Sequence, residues 1–107
     1  MKKIISLCVL LSVTQALSVY AQDGYTLTVT DKGIEPQTID IPAGQKVPLI
    51  VKNLTSEPVE LEGKAFASEI VAPPQGQAKE YVGPYSAGEY GFYNDYNRKE
   101  VGVVRSH

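Results

Sequence analysis

Tyr25-Thr26-Leu27-Thr28-Val29-Thr30 alternates apolar and polar residues with a period of two. A β-strand sends successive side chains to opposite faces, so this hexapeptide predicts a strand buried on one side. The pattern continues along the chain. Ile39 and Ile41 alternate with polar neighbours before Pro42-Ala43-Gly44 turns the backbone, and Val47, Leu49 and Val51 give a third apolar face. Val59 and Leu61 resume it, with Glu60 and Glu62 on the opposite face. Further strands are expected at 69–71, 78–82, 89–93 and 101–104, separated by Pro73-Pro74, Gly83-Pro84 and Gly88. Residues 64–68 are expected to make a single helical turn. Asn53–Ser56 reads as a loop, and Asn53-Leu54-Thr55 has the form of a glycosylation sequon. Short strands spaced by roughly 8–12 residues and punctuated by Gly and Pro predict one all-β sandwich or barrel.

The N-terminus follows a different rule. Lys2 and Lys3 precede an apolar run from Ile4 to Leu17, and Val19-Tyr20-Ala21 supplies a small-x-small cleavage signature. The run is short for a bilayer span of ~20 residues and is interrupted by Ser6, Ser12, Thr14 and Gln15. Residues 1–21 are therefore expected to be a secretory signal peptide and 22–107 a single mature domain, with no membrane span after cleavage. The destination so implied is the periplasm. Cys8, inside the apolar run, leaves with the leader, so no disulfide is expected and stability must come from an apolar core. Twelve acids face ten bases, and loss of Lys2 and Lys3 makes the remainder more acidic still. That balance offers no basic face for nucleic acid. An enzyme is also poorly supported, since 22–107 lack a usable Cys or His nucleophile or base and a Gly-rich phosphate loop.

Several landmarks occur in one order: Thr30-Asp31-Lys32 with Glu35-Pro36; Ile41-Pro42-Ala43-Gly44 before a β-branched strand; Asn53; Glu60-Leu61-Glu62 and Glu69-Ile70-Val71. Gly88-Glu89-Tyr90 then leads into Phe92-Tyr93-Asn94-Asp95-Tyr96, and Gly102-Val103-Val104 closes the series. This set resembles the cupredoxin-like family, and within it the branch of periplasmic iron-uptake accessories, which includes EfeO-type N-terminal domains and the cupredoxin partner of Ftr-type transporters. The resemblance implies a cupredoxin-like Greek-key β-sandwich of about seven to eight strands. It implies a metal ion as ligand, and a membrane iron permease or ferredoxin-like component as partner.

The departures are informative. Where blue-copper relatives place a Cys after the aromatic strand, this chain has Asn94. The first copper His would fall at about Val59 or Glu60, and Tyr96–Val101 contains neither a second His nor a Met. The EfeO-type Cys before the Glu-Pro pair is Ile34, and the His often found two residues beyond the Asp is Asn97. A type 1 blue-copper site is excluded on ligand content.

What remains is hard oxygen. Glu60 and Glu62 leave one strand face, Glu69 belongs to the next strand, and Asp95 follows the aromatic strand. Together they form the candidate metal set Glu60, Glu62, Glu69 and Asp95. Such ligands suit Fe(III) or Mn more than Cu(I), so iron is the expected ion, with copper at a non-blue site as a variant. Gathered carboxylates must also raise at least one pKa. Tyr93 and Tyr96 offer phenolic oxygens, with Asp31 and Glu35 in second rank. The opposing reading makes Glu60 and Glu62 ordinary solvated charges that discourage edge pairing, Asp95 a turn-former and Asn94 a loop-fixing amide. On that reading Tyr85, Tyr90, Phe92, Tyr93 and Tyr96 are core and rim, or an exposed docking patch. Terminal His107 is expected to be frayed and solvated. Two functions follow: an accessory of iron or iron/copper uptake that passes the ion to a membrane transporter, with ferroxidase-like activity as its enzymatic variant, or a metal-free interaction module.

Overall fold

A computed structural model describes residues 24–107, and the expected signal peptide with its cleavage site and Cys8 lies outside them. Nine strands follow in order: β1 Tyr25–Thr30, β2 Gly33–Glu35, β3 Thr38–Ile41, β4 Val47–Asn53, β5 Val59–Glu62, β6 Ile70–Ala72, β7 Gln77–Val82, β8 Gly88–Asn94 and β9 Asn97–Ser106. They build a four-stranded sheet, β2-β1-β4-β7, and a five-stranded sheet, β3-β9-β8-β5-β6. β1 runs parallel to β4 and β3 parallel to β9, while the other pairs are antiparallel.

Period-two residues meet between the sheets. Leu27, Val29, Leu49 and Val51 come from the four-stranded sheet, and Ile41, Val59, Leu61, Phe92 and Val104 from the five-stranded one, all buried. Covering these side chains on both faces removes apolar surface from water, the main force available to a domain with no disulfide. Phe92 is accommodated because Gly102 lies beneath it on the neighbouring strand, where a Cβ would overlap the ring. The Phe92 ring also packs on Phe66, their centroids 5.2 Å apart.

Two local expectations, the helical turn and the frayed terminus, are corrected, and Asn53 of the sequon is structural. Residues 64–68 form no helical turn: Gly63 takes φ +136°, Phe66 N–H donates to Gly63 O at 3.2 Å, and Ala65 N–H donates to Gly91 O at 3.2 Å. The chain turns sharply there because Ala65 and Phe66 must both reach the core. Asn53, in the sequon, is fully buried. Its Nδ2 donates to the carbonyls of Glu57, Ala72 and Pro73, and its Oδ1 accepts from Thr55 N–H and Oγ1. That amide ties three backbone segments together and leaves no room for a sugar. His107 is exposed yet tethered, with Nε2 3.1 Å from Asp40 Oδ1 and its carbonyl accepting from Ala43 N–H. Among the described residues, no helix is long and apolar enough to cross a membrane.

Candidate metal site

Alternation along β5 places Val59 and Leu61 inside the sandwich and Glu60 and Glu62 on its outer face. β8 lies alongside, with Leu61 opposite Asn94 and Glu62 opposite Tyr93. The pairing runs one residue further, since Asp95 N–H donates to Glu60 O at 2.8 Å. Asp95 therefore emerges beside Glu60 and Glu62. One carboxylate oxygen from each of the three lies within 4.8 Å of the other two. Oxygens on one small ion with bonds of about 2.1 Å sit roughly 3–4 Å apart, so the group closes on an ion with shifts of about 1 Å.

Glu69 stands directly before β6, on the far side of β5 from β8. It lies outside that triad but reaches Glu60. The Glu60 carboxyl is pushed up from 4.5 to about 7, first by a side-chain hydrogen bond with Glu69, then by partial burial and the charges of Glu69, Glu62 and Asp95. Glu62 is also raised, by partial burial and by Asp95, with Arg98 opposing. The four acids named from the sequence thus lie together, Glu69 beside Glu60 and Asp95 beside Glu60 and Glu62.

Arg98 had no part in the sequence reading. β8 and β9 pair Asn94 with Asn97 and then Tyr93 with Val101, so Arg98, Lys99 and Glu100 form an irregular insertion. Such bulges re-aim side chains. Arg98 folds over the outer face, its Nη2 2.7 Å and Nε 3.2 Å from Asp95 Oδ1 and its guanidinium 5.0 Å from the Tyr93 ring centroid. Glu100 turns the other way and accepts from Asn94 Nδ2 at 2.8 Å. A signal for Arg98 existed in its three-residue spacing from Asp95, but the insertion that gives it meaning is invisible before the strands are paired.

The inner face is different. Asn94, in the position expected for a thiolate, is buried and structural: Oδ1 accepts from the N–H groups of Glu60 at 3.1 Å and Tyr96 at 3.2 Å. Of the two positions considered for the first copper His, Val59 faces inward and Glu60 outward. The carboxylates accordingly gather one residue away from the inner ligand positions, on the outside of the sheet. Asp31 does not join them. It lines a separate cleft of about 370 Å³ with Glu57, Glu100, Val59, Asn94 and Tyr96. Glu35 is exposed on β2. Tyr93 stays with the cluster, and Tyr96 is 61% exposed at the hairpin tip. Tyr85 and Phe92 are core, as the packing reading of the aromatic set expects.

A family model described as a cupredoxin-like domain matches residues 3–104. No curated protein matches the sequence significantly. Similar solved structures include auracyanin from Roseiflexus castenholzii, at 14% identity over 79% of this chain and 97% of that one with a TM-score of 0.64. A purple cupredoxin from Nitrosopumilus maritimus aligns over 78% of this chain and 99% of its own at 14% identity and TM-score 0.55. Amicyanin from Paracoccus versutus gives 12% identity, coverages of 79% and 82%, and a TM-score of 0.60, and a variant of an amicyanin solved in a Cu(I) state is also similar. At these identities the likeness establishes the fold.

Proposed function

This chain belongs to the cupredoxin-like domain family, and from that premise we propose that it is a periplasmic accessory of iron uptake that binds its ion through outer-face carboxylates and passes it to a membrane transporter. The observation that carries this reading is the convergence of Glu60, Glu62 and Asp95 oxygens within 4.8 Å. Glu69, which reaches Glu60, is the fourth ligand of this reading. Oxygen donors favour Fe(III), and Cu(II) is the alternative cargo, because it ranks highest among first-row divalent ions at most sites. If Fe(II) is the ion first captured, this preference pulls it towards Fe(III), the electron passing to dioxygen.

The test is a calorimetric titration of the purified protein with Fe(III), Cu(II), Mn(II) and, anaerobically, Fe(II), beside Glu60→Gln and Glu69→Gln. Micromolar or tighter binding, weakened at least tenfold in Glu60→Gln, is expected. Binding untouched by both substitutions would sink the site. The oxidation step fails separately if admitted oxygen consumes bound Fe(II) no faster than Fe(II) in buffer. A second reading, a metal-free interaction module, is favoured by the Arg98–Asp95 ion pair, which already gives the cluster a counter-charge. Absence of binding to all four ions decides for it.

A further inference from the structure

The carboxylate cluster is already in contact with a cation of the protein's own. Arg98 puts two N–H donors on a single oxygen, Asp95 Oδ1, and lays its guanidinium against the Tyr93 ring, itself opposite Glu62. An ion drawing Asp95, Glu60 and Glu62 together must share the Asp95 carboxylate with Arg98, which holds Oδ1, and two cations within a few ångströms repel. The Arg98 side chain is 71% exposed and springs from the irregular insertion between Asn97 and Val101, so it is free to swing into water without disturbing the core. Exposed pairs of this kind are weak, which makes the contact displaceable.

We propose that Arg98 is an internal competitor for the cluster: it holds Asp95 when no metal is bound, is displaced on loading, and by returning to Asp95 lowers affinity and hastens release of the ion. The inference rests on the metal-binding reading and deepens it by adding a release device to a cargo site. A carrier that hands its ion onward needs this property, because a site of four unopposed carboxylates releases slowly. The competitor is tethered, so its effective concentration at Asp95 is fixed by the fold. The Tyr93 face supplies the resting place that keeps it within reach.

The test uses Mn(II), which oxygen does not readily oxidise at neutral pH and whose free form is counted by electron paramagnetic resonance. Arg98→Gln is expected to bind Mn(II) roughly threefold to tenfold more tightly than the unaltered protein and to release it to excess chelator correspondingly more slowly. Lys99→Gln removes the same charge from the adjacent residue and is expected to change affinity less than twofold. In the unaltered protein, Mn(II) loading should also remove the effect of Arg98 on the near-ultraviolet dichroism of Tyr93, leaving the two proteins with matching tyrosine spectra. Equal affinities in Arg98→Gln and the unaltered protein, weaker binding in Arg98→Gln, or an equal gain in Lys99→Gln would each overturn the competitor while leaving the site intact. If neither the unaltered protein nor Arg98→Gln binds Mn(II), Fe(III) or Cu(II), the site reading and the competitor fall together.

Discussion

Val59 and Glu60 are neighbours, as are Asn94 and Asp95, yet each pair is split between two environments. Val59 and Asn94 face the interior, where one fills space and the other satisfies two backbone N–H groups through Oδ1. Glu60 and Asp95 face outward and bring charge together. Inside, an unpaired carboxylate would face a large desolvation penalty and the buried amide has to be satisfied. Outside, water keeps the assembled charges tolerable, at the expense of a raised carboxyl pKa. The interior here maintains the fold, and the carboxylates gather one residue outward along each strand.

Substitutions on the two faces should therefore separate stability from metal affinity. The largest effect is expected for Leu61→Ala, between the two glutamates but fully buried. It should destabilise by about 2–5 kcal/mol in chemical denaturation, and a loss below 1 kcal/mol would show that β5 is not firmly packed. Asn94→Ala comes next, at about 1–3 kcal/mol, because the N–H groups of Glu60 and Tyr96 lose their acceptor. Its metal affinity should drop too, since the amide fixes the backbone of Glu60 and of Tyr96, on either side of the Asp95 contact.

Glu62→Gln is the outward counterpart. It should weaken metal binding tenfold or more while leaving the metal-free denaturation midpoint unchanged or higher, as removing one of several like charges relieves repulsion. A lowered midpoint would mean that Glu62 is a structural residue. The pH response is smaller. Between the ordinary 4.5 and about 7, folded Glu60 retains a proton that the unfolded chain has released. The folded state then binds more protons, so metal-free stability should fall as pH rises through this window, while metal affinity rises. Melting curves in chelator from pH 5 to 8 should show a drop of a few degrees, flattened in Glu60→Gln, and a rise with pH would contradict the raised Glu60 carboxyl. Smallest of all is Tyr96→Ser, in the other cleft, expected to shift stability by less than about 0.5 kcal/mol and to leave metal binding alone. A loss of binding there would move the site to the hairpin tip.

Much of this was legible in the chain. Strand-forming alternation at 25–30, 47–51 and 59–62 fixes which residues are buried, because the pleat has a period of two whatever the partner. The same rule puts Glu60 and Glu62 on one face, and the lack of Cys, Met and internal His in 22–107 removes blue-copper chemistry without any coordinates. The short β2 was missed, since three residues carry too little pattern, and β9 is longer than its apolar part because Asn97–Glu100 pairs irregularly at the hairpin. Whether Asp95 and Glu69 converge on Glu60 depended on register between strands distant in sequence. So did the role of Arg98. The sequence by itself determined the class of fold, the faces of each strand and the kind of ligand on offer. Only the tertiary structure decided which acids of different strands meet and which cation already touches them, because side-chain alternation is a local property of the backbone and cross-strand register is not.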